Sequence, residues 1–220
     1  MVEYLLHIPS VVPIILDNNS TYKPLLDWYS HCPAKVVKLG RNRGHLCAWT
    51  CGLLPLGKDH RKAFGQPYYA VSDPDLDLTG CPPDLFEVLR QGLESHPEAI
   101  KAGVSLEITD IPAHNPLKFS IETHESNFWK VRADDRFWWA GVDTVLALYH
   151  CDRVFDPFNW ISPALRSDRP YTAKHMPWYS DPSNLSEEER KYLANTNIGH
   201  WSSLMRMTLP RPVGPTIKFL

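Results

Sequence analysis

The chain has 220 residues, 43% of them hydrophobic and 22% charged, with 23 Lys and Arg against 25 Asp and Glu. That length buries a core without disulfide or metal staples, and the composition is that of one soluble globular domain. A formal charge of -2 and a pI near 6.5 exclude the broad basic face of a general nucleic-acid binder.

The N-terminus lacks a basic stretch followed by an apolar core and cleavage site, and no apolar run is long enough to cross a bilayer, so the expectation is an unsecreted, cytoplasmic protein with no membrane span. Cys32, Cys47, Cys51, Cys81 and Cys151 are odd in number and form no CxxC pair, which points to reduced thiols rather than a disulfide framework or zinc ribbon. Outside the secretory route, the glycosylation-type patterns near Asn18 and at Asn184 carry no weight.

In chain order, residues 11–16 form a β-branched run that stops at Asp17-Asn18-Asn19-Ser20-Thr21, a polar cluster expected to make a turn and cap a helix. Leu25, Leu26, Trp28 and Tyr29 follow Pro24 at helical spacing. Residues 34–39 read as a second strand closed by Gly40-Arg41-Asn42-Arg43-Gly44, and residues 45–54 as a short helix. Residues 68–72 read as a third strand running into Asp73-Pro74-Asp75-Leu76-Asp77.

Residues 84–96 have the periodicity of an amphipathic helix, with Leu85, Val88, Leu89 and Leu93 on one face. Val104, Leu106 and Ile108 alternate with Ser105, Glu107 and Thr109, the pattern of a half-buried strand. Residues 119–131 suggest a helix, and residues 142–149 suit either a strand or a short helix. Residues 152–186, rich in Pro, Trp, Asp and Ser, read as a long functional loop. Glu187-Glu188-Glu189 after Ser186 reads as the acidic first turn of a helix. The order predicts an α/β fold whose mostly parallel sheet gathers its polar loops along one edge, beyond the carboxyl ends of the strands. Residues 1–209 form the expected domain, and residues 210–220, with three prolines and Gly214, an extended tail or linker.

At the end of a strand, the Asp73-Pro74-Asp75-Leu76-Asp77 cluster offers carboxylate oxygens to a divalent cation whose shell a diphosphate completes, although Pro with Asp is also ordinary turn chemistry. Arg41 and Arg43, beside Asn42 and two glycines, suit an anion. His45 and Cys47 lack a second pair and read as helix packing. The rings of Trp138, Trp139, Trp160, Trp178 and Trp201 either fill the core or line a sugar or nucleotide site, and His200 with Trp201 either lines a site or closes the core.

Taken in order, the segments IILDNNSTYKPLLDWY, KLGRNRGHLCAW, YYAVSDPDLD, GVDTVLALY and KHMPWY resemble nucleotide-sugar glycosyltransferases of the GT-A fold, close to family 2 and similar to small viral domains that glycosylate a capsid protein. The resemblance spans residues 11–202. It implies a single Rossmann-like GT-A domain and an inverting, metal-dependent transfer of a glucose-like hexose or rhamnose-like deoxyhexose. The donor would be a UDP-sugar and the acceptor a hydroxyl of a glycan or glycoprotein, in the host cytoplasm if the protein is viral.

Carried over, the resemblance assigns Asp17, Asn18, Asn19 and Ser20 to the uracil and ribose, with Arg41 and Asn42 flanking the nucleotide. Asp73 faces the ribose and the metal, Asp75 binds Mn²⁺ or Mg²⁺ and through it the diphosphate, Asp77 is a third acid, and His175 returns to the metal. Neutral imidazole suits Mn²⁺ better than Mg²⁺. Inversion needs a base for the acceptor hydroxyl, and Asp143 matches that position. Asp143 also reads as a helix N-cap, and Asp134 and Asp135 are rivals for the base that equally read as solvated turn residues. Only 16 residues precede Asp17, so the family's opening unit is shortened or folded into residues 1–10, which leaves open both how the uracil is enclosed on that side and whether the chain is part of a longer protein. The competing readings are a nucleotidyltransferase acting on a sugar phosphate, which would carry a Gly-rich basic loop absent here, and a non-catalytic carbohydrate-binding module that is indifferent to metal.

Overall fold

In the computed structural model, which describes residues 1–55, 57–153, 155–157 and 163–195, the chain opens with a short helix, α1 (Val2–Leu6), followed by strand β1 (Ile14–Asp17). Helix α2 (Lys23–Tyr29) then carries the chain to β2 (Lys35–Lys38), which pairs parallel to β1 with Ile14 opposite Lys35. Pro24 in the first turn of α2 fits there because its missing N–H has no intrahelical partner to lose. The cap of α2 is Tyr22, without a side-chain hydrogen bond. The polar cluster expected to cap it instead closes on itself, Ser20 N–H donating to Asp17 Oδ1 at 3.0 Å.

Helices α3 (Cys47–Thr50) and α4 (Gly57–Phe64) lead to β3 (Tyr68–Val71), β4 (Leu76–Asp77) and helix α5 (Leu85–Ser95). The helix expected over residues 45–54 is a single turn, whereas α5 follows its periodicity, with Leu85, Val88, Leu89 and Leu93 buried. Each such leucine contributes about 1.5–3 kcal/mol by leaving water. Strand β5 (Lys101–Gly103) precedes the alternating stretch, of which only Ser105–Leu106 is strand (β6), and the expectation of a half-buried strand is corrected: both residues of β6 are buried, because the sheet is covered on both faces there.

Helix α6 (Lys118–Glu125) tightens into a 3₁₀ turn at Ser126–Trp129, and then come β7 (Phe137–Trp139) and β8 (Ala147–His150), which settles residues 147–150 as strand. The stretch expected to be a long loop contains β9 (Ala164–Ser167), β10 (Thr172–His175) and a 3₁₀ turn at Met176–Tyr179. Helix α7 (Glu187–Asn195) begins with a capping box, in which Ser186 N–H donates to Glu189 Oε2 at 2.6 Å and Glu189 N–H to Ser186 Oγ at 3.2 Å. Trp160, His200, Trp201 and the proposed tail at residues 210–220 lie outside the described residues.

The architecture is mixed α/β, but the expectation of a mostly parallel sheet is corrected. The five-stranded sheet runs β3-β8-β5-β9-β7, and only β5 with β9 is parallel. The cause is β8, which runs back between β3 and β5 and makes both neighbouring pairings antiparallel. A three-stranded sheet, β4-β10-β6, lies beside it, with β10 antiparallel to β4 and parallel to β6. The β1-β2 pair forms a separate sheet. A cleft of about 2870 Å³ is lined by residues of both β1 and β3.

Candidate functional site

The loop after β1 is built around Asp17, which is 4% exposed. Its carboxylate accepts from Ser20 N–H and, at 3.3 Å, from the Tyr29 hydroxyl of α2, while its carbonyl accepts from Leu39 N–H at 2.9 Å. Asn19 takes a left-handed backbone (φ 71°), a conformation Asn tolerates better than most residues. Asn18 ties this loop to the one after β2. Its amide donates to Asn42 Oδ1 at 3.1 Å and to the Gly44 carbonyl at 3.0 Å, and its own oxygen accepts from Arg43 N–H at 2.7 Å. Gly40 and Gly44 hold φ of 72° and 77°, which bends the second loop back toward the first.

Asp17, Asn18, Asn19, Ser20 and Asn42 all line the cleft. Arg41 is exposed and is not among the cleft-lining residues. Arg43 is half-buried, with its Nε unpartnered among the described residues.

The turn after β3 adds Asp73 and Asp75 to the cleft lining. Asp73 N–H donates to the Thr144 carbonyl at 2.8 Å, and the Thr144 hydroxyl donates back to Asp73 Oδ2. Burial pushes the Asp73 carboxyl up to about 7; the Thr144 hydrogen bond opposes this, while Asp75 and Asp143 add to it. Strand β10 sets His175 opposite Leu76, which brings its Nε2 to 3.4 Å from Asp75 Oδ2. Asp75 Oδ1 and His175 Nδ1 are buried and lack hydrogen-bond partners among the described residues. The Asp75 carbonyl accepts from Met176 N–H at 2.9 Å, which fixes the strand end against the 3₁₀ turn.

Asp77 is not part of this grouping. Its Oδ1 accepts from Thr79 N–H at 2.8 Å, an ordinary turn role, and it is absent from the cleft lining. His45 and Cys47 both line the cleft, and Cys47 opens the single turn of α3.

Asp143 lies in the loop before β8, exposed, with its Oδ1 accepting from Val145 N–H at 3.3 Å. No helix follows, so its alternative reading as a helix N-cap is corrected: it caps a turn into a strand. A second cavity of about 270 Å³ brings Asp143 together with Asp73, His175, Trp178, Glu125 and Arg166. The rival acids lie elsewhere. Asp134 Oδ1 accepts from Arg136 and Phe137 N–H at 2.7 and 2.8 Å, closing the turn into β7, and neither Asp134 nor Asp135 lines either cavity. Trp178 is 2% exposed and packs edge-on against His175 with ring centroids 4.9 Å apart, so it is both core and cavity wall.

Among the described residues, no three or more His, Cys, Asp or Glu side chains are grouped to hold a metal by themselves. The Asp75-His175 pair nevertheless fits the partial donor set of a cation whose remaining positions come from phosphate oxygens and water, since such ions are commonly held by one or two carboxylates plus the substrate. Two unpartnered buried polar atoms at that pair are the observation behind the fit.

Sequence reasoning did not identify Tyr29, Thr144, Glu125 or Arg166. Tyr29 and Thr144 were legible only as neighbours of an expected motif, and the Glu125-Arg166 pair joins residues 41 apart in sequence, for which no local signal exists. Comparison with protein-family models, with curated proteins and with solved structures finds no match to this chain. No helix among the described residues is long and apolar enough to cross a membrane.

Proposed function

We propose that this protein is a metal-dependent glycosyltransferase of the GT-A type that moves a hexose or deoxyhexose from a UDP-sugar to a hydroxyl of a glycan or glycoprotein, with inversion at the anomeric carbon. The observation that carries the reading is the convergence, on one cleft, of the Asn18-Asn42 loop pair, the Asp73-Asp75-His175 group and Asp143. The resemblance of the five segments, from residue 11 to residue 202, supports it.

In this reading Asp17 and the loop it shapes face the nucleoside, with Asn18 and Asn42 holding the two loops in one arrangement. Asp75 and His175 would hold Mn²⁺ or Mg²⁺, with Asp73 beside them. When bound, the cation offsets negative charge that grows on the departing diphosphate. Asp143 accepts the proton of the acceptor hydroxyl as the new C–O bond forms at the anomeric carbon and the old bond to the diphosphate breaks, UDP departing with the bonding electrons. The chamber of about 270 Å³ beside Asp143 gives a monosaccharide room to be oriented for that attack.

The test is calorimetric titration of UDP with Mn²⁺ and again with EDTA, for the wild type and Asp75→Ala. Binding that requires both metal and Asp75, followed by transfer from a UDP-sugar, is the expected result. Binding indifferent to both would overturn the metal-diphosphate site and favour the binding-module reading.

A further inference from the structure

Arg166 is the largest fully buried side chain among the described residues, 2% exposed on β9, and beyond lining the smaller cavity it has no part in the proposed chemistry. Its Nε donates to the Gly141 carbonyl at 2.7 Å, its Nη1 donates to Glu125 Oε2 at 2.9 Å, and its guanidinium lies 3.9 Å from the centre of the Phe128 ring. One side chain thus joins a central strand, the last turn of α6, the 3₁₀ turn after it, and the loop that carries Asp143.

That loop is pinned at both ends. On one side Ala140 N–H donates to the Ala164 carbonyl at 3.1 Å and Gly141 is held by Arg166. On the other, Thr144 exchanges hydrogen bonds with Asp73 through its carbonyl and hydroxyl. Asp143, exposed, sits between the two anchors. A buried ion pair gives little stability over well-packed apolar side chains, so packing alone does not account for an arginine here. What the planar fork provides and an apolar side chain cannot is simultaneous donation to a carbonyl and a carboxylate in fixed directions.

We infer that Arg166, backed by Glu125, is a positioning residue that sets the loop at residues 140–144 and so fixes Asp143 against the Asp73-Asp75 cluster. The role given to Asp143 rests on the function proposed above, while the holding of the loop does not. Arg166 directs its donors to the Gly141 carbonyl and the Glu125 carboxylate rather than toward a reacting atom. Its effect belongs to orientation, where a displacement of about 1 Å costs about 100-fold in rate.

The experiment compares wild type, Arg166→Met, Arg166→Lys and Glu125→Gln by amide hydrogen exchange and by transfer kinetics from a UDP-sugar with Mn²⁺. In Arg166→Met the amides of Ala140, Val145 and Asp73 exchange at least about tenfold faster while that of Leu39, bonded to the Asp17 carbonyl just beyond β2, is unchanged. The kcat falls about 100-fold with the donor KM within about twofold, and Arg166→Lys and Glu125→Gln fall between. If Arg166→Met exchanges faster everywhere, it has lost its fold, and the two milder variants decide by the same pair of readouts. Unchanged exchange at Ala140, Val145 and Asp73 in all folded variants overturns the inference, as does a loss expressed wholly in donor KM. If the wild type transfers no sugar, the glycosyltransferase reading fails and the exchange data alone decide whether Arg166 holds the loop.

Discussion

Asp143 and Asp73 are both aspartates near one cavity, yet their surroundings separate their roles. Asp73 is buried against Thr144 with its carboxyl raised to about 7, whereas Asp143 is exposed and keeps only a turn hydrogen bond from Val145. The exposed acid is the one free to meet an incoming hydroxyl. Asp143→Asn preserves shape and the Val145 hydrogen bond, so UDP affinity should stay within about twofold while transfer falls by about 10²–10⁴, the usual worth of a general base. Steady-state kinetics beside UDP titration checks this, and wild-type turnover in the Asn variant would remove Asp143 from the base role. Aspartate types and their strand-end setting were visible in the sequence. Their opposite degrees of burial were not, because burial depends on what β8 and β10 bring against them.

At the scale of elements, α5 was fully legible and β7 was not. The helix has an apolar face with its own period, while β7 is a three-residue strand whose pairing partner, β9, begins 25 residues after β7 ends. The two meet at Gly92, where an added Cβ would lie 2.6 Å from the Phe137 ring, itself 0% exposed. Gly92→Ala should therefore destabilise the protein by about 1–3 kcal/mol through overpacking, against a helix-propensity gain of about 1 kcal/mol. Urea denaturation checks the sign; a variant more stable than wild type would mean that Phe137 yields easily. The capping box at Ser186 and Glu189 belongs to the legible class, since its partners are three residues apart.

For the whole molecule, a clamp fastens the three-stranded sheet to the turn between β9 and β10. Arg169 donates through Nε and Nη2 to the two Glu107 oxygens at 3.0 and 2.8 Å, and its guanidinium covers the Trp129 ring at 4.4 Å. The Arg169 hydrogen bond is the largest cause holding the Glu107 carboxyl down at about 2 from an ordinary 4.5. A carboxyl held low in the folded state contributes stability that is fully present above its unfolded value and is lost as pH falls from about 4.5 toward 2. Glu107→Gln should lower stability at pH 7 by about 0.5–1 kcal/mol, a partly exposed pair being screened, and should flatten the decline between pH 4.5 and 3. Thermal melts at pH 7, 4.5 and 3 test it, and parallel pH profiles for the two proteins would show that the clamp is not the acid-sensitive element.

By itself the sequence determined the parallel β1-α2-β2 opening, the helix α5, the acidic cluster after β3 and the polar loops that meet in one cleft, because each is specified by residues within one or two turns of chain. Only the tertiary structure decided that β8 runs back between β3 and β5, and that β1 and β2 form a sheet of their own. It alone set Arg166 beneath the loop of Asp143. The physical reason is range. Strand direction and buried ion pairs are chosen by contacts between residues dozens of positions apart, whose energies depend on packing that no local pattern encodes.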